Sequence, residues 1–291
     1  MDWNKAKNLI IMFLIGLNAI LLGLIYIYTP QYVLTGERET AVLNVLHANN
    51  MTLQTSIPRR YGPMPQLQMQ PANYDLSALG RFFFGEGAAL THDIENERMV
   101  MTDDQGRTLT IFNDGFVLFD GLFLSSDAVD MHDIRSICDS LITQNADLAP
   151  GFIFDYPNQN GIQTAGGTRF EYRQRFKQQS VYSNFMSFTV TEAGIVQITY
   201  HFKKAIGFES AKREIIPPDA ALFAFMRYFI ELYGTGTAVA INAMDIVYYQ
   251  EELSEGGVSA YSAAPFYRFW VAGMEMPFLI NAHTGLWRSD L

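Results

Sequence analysis

Residues 9–28, LIIMFLIGLNAILLGLIYIY, form a run of 20 without a charge, and Asn18 is its one strongly polar member. As an α-helix rising 1.5 Å per residue, such a run is about 30 Å long, the thickness of the hydrocarbon core of a bilayer. The sequence therefore predicts a transmembrane helix over 9–28, preceded by a short tail of residues 1–8. A cleaved signal peptide has a shorter apolar region, about 7–15 residues, that ends in small residues at the cleavage site. Here the run ends in Tyr26, Tyr28, Pro30 and Tyr32 with no A-x-A pattern, so the anchor is expected to stay attached.

The flanks set the expected orientation. Lys5, Lys7 and the amino terminus precede the run, and the first positive charge after it is Arg38. Short positive flanks stay in the cytoplasm. This predicts a cytoplasmic N-terminus in the cell membrane and an extracellular remainder, with Trp3 at the inner interface and Tyr26, Tyr28 and Tyr32 at the outer one.

The remainder is large enough for one large or two small domains. The chain is 49% hydrophobic and 14% aromatic, so the outer part can bury a core. Beyond the anchor it holds 18 Lys and Arg against 29 Asp and Glu, a formal charge of −11. An acidic surface repels nucleic acid and anionic headgroups, and neither is expected as a ligand. The single cysteine, Cys138, excludes an intramolecular disulfide. It falls with Ile134 and Leu141 on one helix face, the pattern of a small buried hydrophobe rather than a reactive thiol.

Periodicity predicts helices over about 37–49, with Val42, Val45 and Leu46 on one face, and over about 127–145, capped by Ser125 or Ser126. A third begins at Pro217-Pro218-Asp219 and carries Leu222, Phe225, Met226, Phe229 and Tyr233 on one face. Residues 58–71 hold four prolines and are expected to be extended and irregular. ERMVMT, RTLTIF and FVLFDG are strands joined by the turns DDQG and NDG. SFTVTEAG and IVQITYHFK form another hairpin, with Val196, Ile198, Tyr200 and Phe202 alternating as on a half-buried strand. Closing strands are expected near 241–250, 265–271 and 277–282, and Thr284-Gly285 fits a tight turn with glycine at positive φ. That hairpin either closes the sheet or offers an edge to an extended peptide. Runs of strands between single helices predict an α+β fold, with helices packed on antiparallel sheets. The Gly-, Pro- and Asn-rich stretch 149–168 is the best internal boundary, which divides the outer part into modules 29–160 and 161–291.

Short catalytic motifs are missing. No G-x-S-x-G elbow, phosphate loop or His-Glu-x-x-His occurs, and one cysteine excludes C-x-x-C. His92-Asp93 and His132-Asp133 are pairs of adjacent residues that do not share a helix face. No cofactor or metal is expected, and no two carboxylates stand out as a glycosidase pair. The anchor helix carries the one cluster singled out for binding. Gly16 and Gly23 lie nearly on one face with Ala19 beside them, and Ala19 and Gly23 make a small-x-x-x-small pair that lets helix backbones approach closely. Asn18 lies roughly opposite, at mid-span, where an unpaired amide is costly. Gly16, Asn18, Ala19 and Gly23 are therefore candidate partner-binding residues.

The opening MDWNKAKNLIIMFLIGLNAILLGL resembles the start of the YycI (WalI) two-component regulatory proteins of low-GC Gram-positive bacteria. The tail, P-x-Y-R-x-W followed by x-L-I-N-A-x-T-G, resembles the PepSY-like closing module of YycI and its relative YycH. The likeness spans most of the chain, through the middle by element order alone. It implies a non-enzymatic, single-pass membrane regulator that associates with a YycH-like protein and with the sensor histidine kinase of the YycG (WalK) type, which governs cell-wall metabolism. Two other classes remain open: an external peptide- or ligand-binding sensor module, marked by a groove or free sheet edge, and a wall-facing hydrolase, marked by a deep cleft with two converging carboxylates.

Overall fold

The computed structural model describes residues 3–28, 32–71, 74–86, 88–95, 98–125, 133–155, 161–250 and 262–288. Helix α1 spans Trp3–Tyr28 without a break. Its window Ala6–Leu24 has a mean hydropathy of 2.0, and none of it is buried against the rest of the protein. It is long and apolar enough to cross a membrane.

Helix α2, Gly36–Ala48, starts where the Thr35 hydroxyl accepts from the Arg38 amide at 3.4 Å, an N-cap. Val42 and Leu46 are buried, whereas Val45 turns outward and is 37% exposed. Strand β1 is Met51–Leu53. The proline-rich stretch then departs from expectation: Met64–Pro71 is a regular strand, β2. The ladder survives because Pro65 and Pro71 sit at the strand's two ends, where a missing N–H is tolerated. Helix α3, Leu76–Phe84, was not anticipated. Asp75 caps it, accepting from the Ser77 and Ala78 amides, and it buries Leu79, Phe83 and Phe84.

A meander follows, β3 (Thr91–Glu95), β4 (Arg98–Thr102), β5 (Thr108–Ile111) and β6 (Phe116–Ser125). Ser125 is the last residue of β6 and not a helix cap; Ser126 and residues 127–132 lie outside the described residues. Helix α4 covers Ile134–Gln144 and buries Ile134, Cys138 and Ile142. Short strands β7 (Phe152–Phe154) and β8 (Ile162–Thr164), on either side of residue 160, both pair with β9 (Gly167–Phe176). Then come β10 (Gln179–Thr191), β11 (Gly194–His201) and β12 (Lys203–Arg213). Helix α5 is Pro218–Tyr233, with Pro217 at its N-cap. The chain closes with β13 (Val239–Tyr249), β14 (Ser262–Val271) and β15 (Phe278–Asn281). Gly285, at φ +71°, donates its amide to Asn281 O and turns the chain so that Trp287 bridges back to Ile280.

These strands form one α+β sheet system that is mixed rather than purely antiparallel, since β1 and β10 each run parallel to β13. One core lies under α3 and α4 and draws on Phe83, Phe119, Cys138, Phe188 and Tyr200. A second packs α2 and α5 against β13–β15. There the Phe225 and Phe269 rings stack at 4.9 Å, and Arg38 grips both Asp219 oxygens at 2.9 and 2.8 Å. On β11 the alternation shifts. A bulge between Ile195 and Gln197 against β6 puts Ile195, rather than Val196, into the core.

Candidate functional site

Strand β10 changes neighbours partway along. Ser180 and Val181 pair with β13, while residues from Phe185 onward pair with β11. Both neighbours lie on the side of β10 away from β9, so β11 and β13 part at this point. Three residues fill the fork. Against β9 the register jumps from Val181↔Gln174 to Phe185↔Arg173, leaving Tyr182, Ser183 and Asn184 as a bulge. Bulges of this kind re-aim side chains beside functional sites. Asn184 locks the fork: its amide donates to Gln174 and to Lys203 O, and its carbonyl accepts from the Lys203 amide at 2.9 Å.

A cleft of about 530 Å³ opens at the fork and runs along the sheet face away from α3 and α4. Register aligns its floor in three rows: Arg173–Phe185–His201, Glu171–Ser187–Thr199 and Arg169–Thr189–Gln197. The alternate residues Phe170, Tyr172, Phe188, Ile198 and Tyr200 face the core. Tyr249 and Gln250, at the end of β13, and Met276 stand on its rim.

The two arginines of the floor share one carboxylate. Arg169 reaches one oxygen of Glu171 at 2.9 Å and Arg173 the other at 2.8 Å, so neither oxygen is left over. Arg173 also lies 3.9 Å above the Tyr182 ring and 3.7 Å from Asp155. Asp155 in turn accepts from Arg268 at 2.6 Å. Burial works against the Arg268 charge, but Asp155 and Asp245 outweigh it and hold its pKa above the ordinary guanidinium value. His201 Nδ1 meets Ser183 O at 2.6 Å, and burial pushes its imidazole below the usual range. Ser187 and Thr199 share a hydrogen bond across the floor. Two hydroxyls are left over: Tyr182 and Ser183 are 3% and 8% exposed, both line the cleft, and neither hydroxyl has a protein partner. Buried polar groups without partners are uncommon and call for an explanation.

The residues singled out in the sequence lie elsewhere, on α1. Gly16, Asn18, Ala19 and Gly23 are all exposed. A Cβ on Gly16 or Gly23 would touch nothing else in the chain. Asn18 Nδ2 donates to Leu14 O at 2.8 Å, one turn back, so half of its donor capacity is met within the helix. The motif P-x-Y-R-x-W splits across β14: Tyr267 and Phe269 enter the α5 core, while Arg268 faces the buried ion pairs. His132 and the side chain of His92 lie outside the described residues, among which no three His, Cys, Asp or Glu converge as a metal site. The cleft itself was missed. Its signal, polar residues at alternate positions of β9, β10 and β11, is present in the sequence, but only the register brings them together.

No protein-family model matches the chain, and no curated protein matches it.

Proposed function

We propose that the protein is a membrane-anchored extracytoplasmic regulator of a YycG/WalK-type sensor histidine kinase, acting in cell-wall control by association with the kinase and a YycH-like partner. It is assigned no catalytic role. The observation that carries the proposal is the tightness of the join between span and fold. Helix α1 ends at Tyr28, and by Tyr32 the chain is hydrogen-bonded into the fold, with Tyr32 O accepting from the Tyr61 amide and the Leu34 amide donating to Arg59 O. Four Cα steps reach at most about 14 Å. A domain tethered this closely stays at the membrane surface, where it meets the outer parts of neighbouring membrane proteins.

The test is co-purification of the full chain with the kinase from membranes, together with kinase autophosphorylation in nanodiscs with and without it. Association and a changed phosphorylation rate are expected. Protease added to wall-less cells should digest the folded part and spare a tagged N-terminus. An unchanged kinase with no association would overturn the proposal, and digestion of the tag would overturn the orientation. The cleft favours a second reading, an extracytoplasmic ligand sensor.

A further inference from the structure

From the lining of the cleft at the β11/β13 fork we infer a binding site for a neutral, polyhydroxylated ligand: one or two sugar rings of a glycan. The inference deepens the sensor reading and does not depend on kinase association. The volume of about 530 Å³ falls within the range of small-molecule sites. Four features select the ligand. Arg169, Arg173 and Lys203 line the cleft together with Glu171 and Asp114, and both arginines lie against Glu171, so the charges nearly cancel and little net positive charge is left for an anion. An extended peptide finds no backbone to pair with, because β10 is already flanked by β9 on one side and by β11 and β13 on the other. A wholly apolar ligand would bury the Tyr182 and Ser183 hydroxyls and the Thr189 and Gln197 side chains without partners, which is costly. Finally, Phe116, Phe185 and Tyr249 line the same cleft and add apolar ring surface for C–H groups. A sugar ring supplies what the site lacks: hydroxyls that both donate and accept for Tyr182 and Ser183, and an apolar face for the aromatic rings.

The orphan hydroxyls also give a readout that a structural role would not produce. Ser183→Ala removes a buried group that makes no hydrogen bond, so thermal stability should hold or rise. If the hydroxyl serves a ligand, binding should fall by about fivefold at the same time. Gln197→Ala should weaken binding similarly.

The test uses the full chain in lipid nanodiscs, since alkyl glycoside detergents would themselves compete. Saturation-transfer difference NMR is run with maltose, cellobiose and chitobiose, and cellulose and chitin pull-downs separate a free sugar from a polymer source. At least one sugar or polymer should bind, more weakly to both variants, with sodium acetate and benzoate failing to displace it. No binding by any probe, equal binding by wild type and variants, or displacement by the carboxylates would overturn the assignment. None of these results depends on whether the kinase co-purifies.

Discussion

Arg268 on β14 and Asp155, just beyond β7, are 113 residues apart in sequence and 2.6 Å apart in space. Arg268 also holds both oxygens of Asp245, its cross-strand partner on β13, at 2.9 and 2.7 Å. The guanidinium is 2% exposed, so its charge depends on these carboxylates. Removing one partner of a buried pair costs about 3–5 kcal/mol, because the remaining charge stays buried without compensation.

Asp155→Ala is therefore expected to lower unfolding stability by about 3 kcal/mol in denaturant titrations. Replacing both partners, Arg268→Met with Asp155→Leu, should recover most of the loss, since apolar groups of similar volume often substitute for a buried pair. A single variant within about 0.5 kcal/mol of wild type would mean that Asp245 alone satisfies the arginine.

His201 makes a pH prediction with a definite sign. Burial lowers its pKa first, with Lys203 adding to the effect, while its bond to Ser183 O and the charge of Asp114 oppose it. The unfolded chain titrates near pH 6.5, so below that pH the unfolded state takes up the proton more readily than the folded one. The stability due to neutral His201 is fully present above about pH 6.5 and is lost as pH falls toward the folded pKa. Melting temperature should drop as pH falls below about 6.5, and His201→Gln should flatten that slope. Identical slopes in the two proteins would assign the loss to other groups.

Cys138 is fully buried among Ile134, Ile142 and the β-sheet core, and burial pushes its thiol up to about 12. The thiolate is the reactive form, so a maleimide should leave the native protein unlabelled and modify it in guanidinium. Cys138→Ala should cost less stability than Cys138→Ser, which buries a hydroxyl in the apolar core with only the carbonyl one turn back on its own helix to accept from it. Rapid native labelling would show that the α4 side of the core opens locally.

What the sequence made legible follows from the range of the forces involved. Helices α1, α2 and α5 announce themselves through long apolar runs or 3.6-residue periodicity, and the turns at 103–106 and 113–115 through their own residues. Helix α3 did not, because nine residues ending in Phe82-Phe83-Phe84 carry too few turns to separate helix from strand, and its cap, Asp75, is recognisable only once the helix is known. Strand β2 hid behind prolines that the ladder tolerates only because of where they fall. The cleft was least legible. Glu171, Ser187 and Thr199 form one row across three strands, and the bulge at 182–184 that opens the fork is a property of pairing between strands, which no local pattern encodes.

The last prediction concerns α1 as a contact surface. At 100° per residue Gly16 and Gly23 lie within about 20° of one face, and a Cβ at either would meet nothing else in the chain, so a partner helix can approach there. Asn18 lies on the opposite side. Its bond to Leu14 O uses one of its two N–H donors and leaves the second N–H and the carbonyl oxygen for a neighbour. An interhelical hydrogen bond in a membrane contributes about 0.6–2 kcal/mol, and the intrahelical bond argues for the lower end of that range. Gly16→Leu with Gly23→Leu should therefore weaken association with a kinase or YycH-like partner more than Asn18→Leu does, with membrane levels unchanged in both. Co-purification from membranes, quantified against the amount of chain present, measures the difference. If a poly-Leu span of the same length retains full association and kinase output, the helix is a tether alone, and the contact must be sought on the folded part.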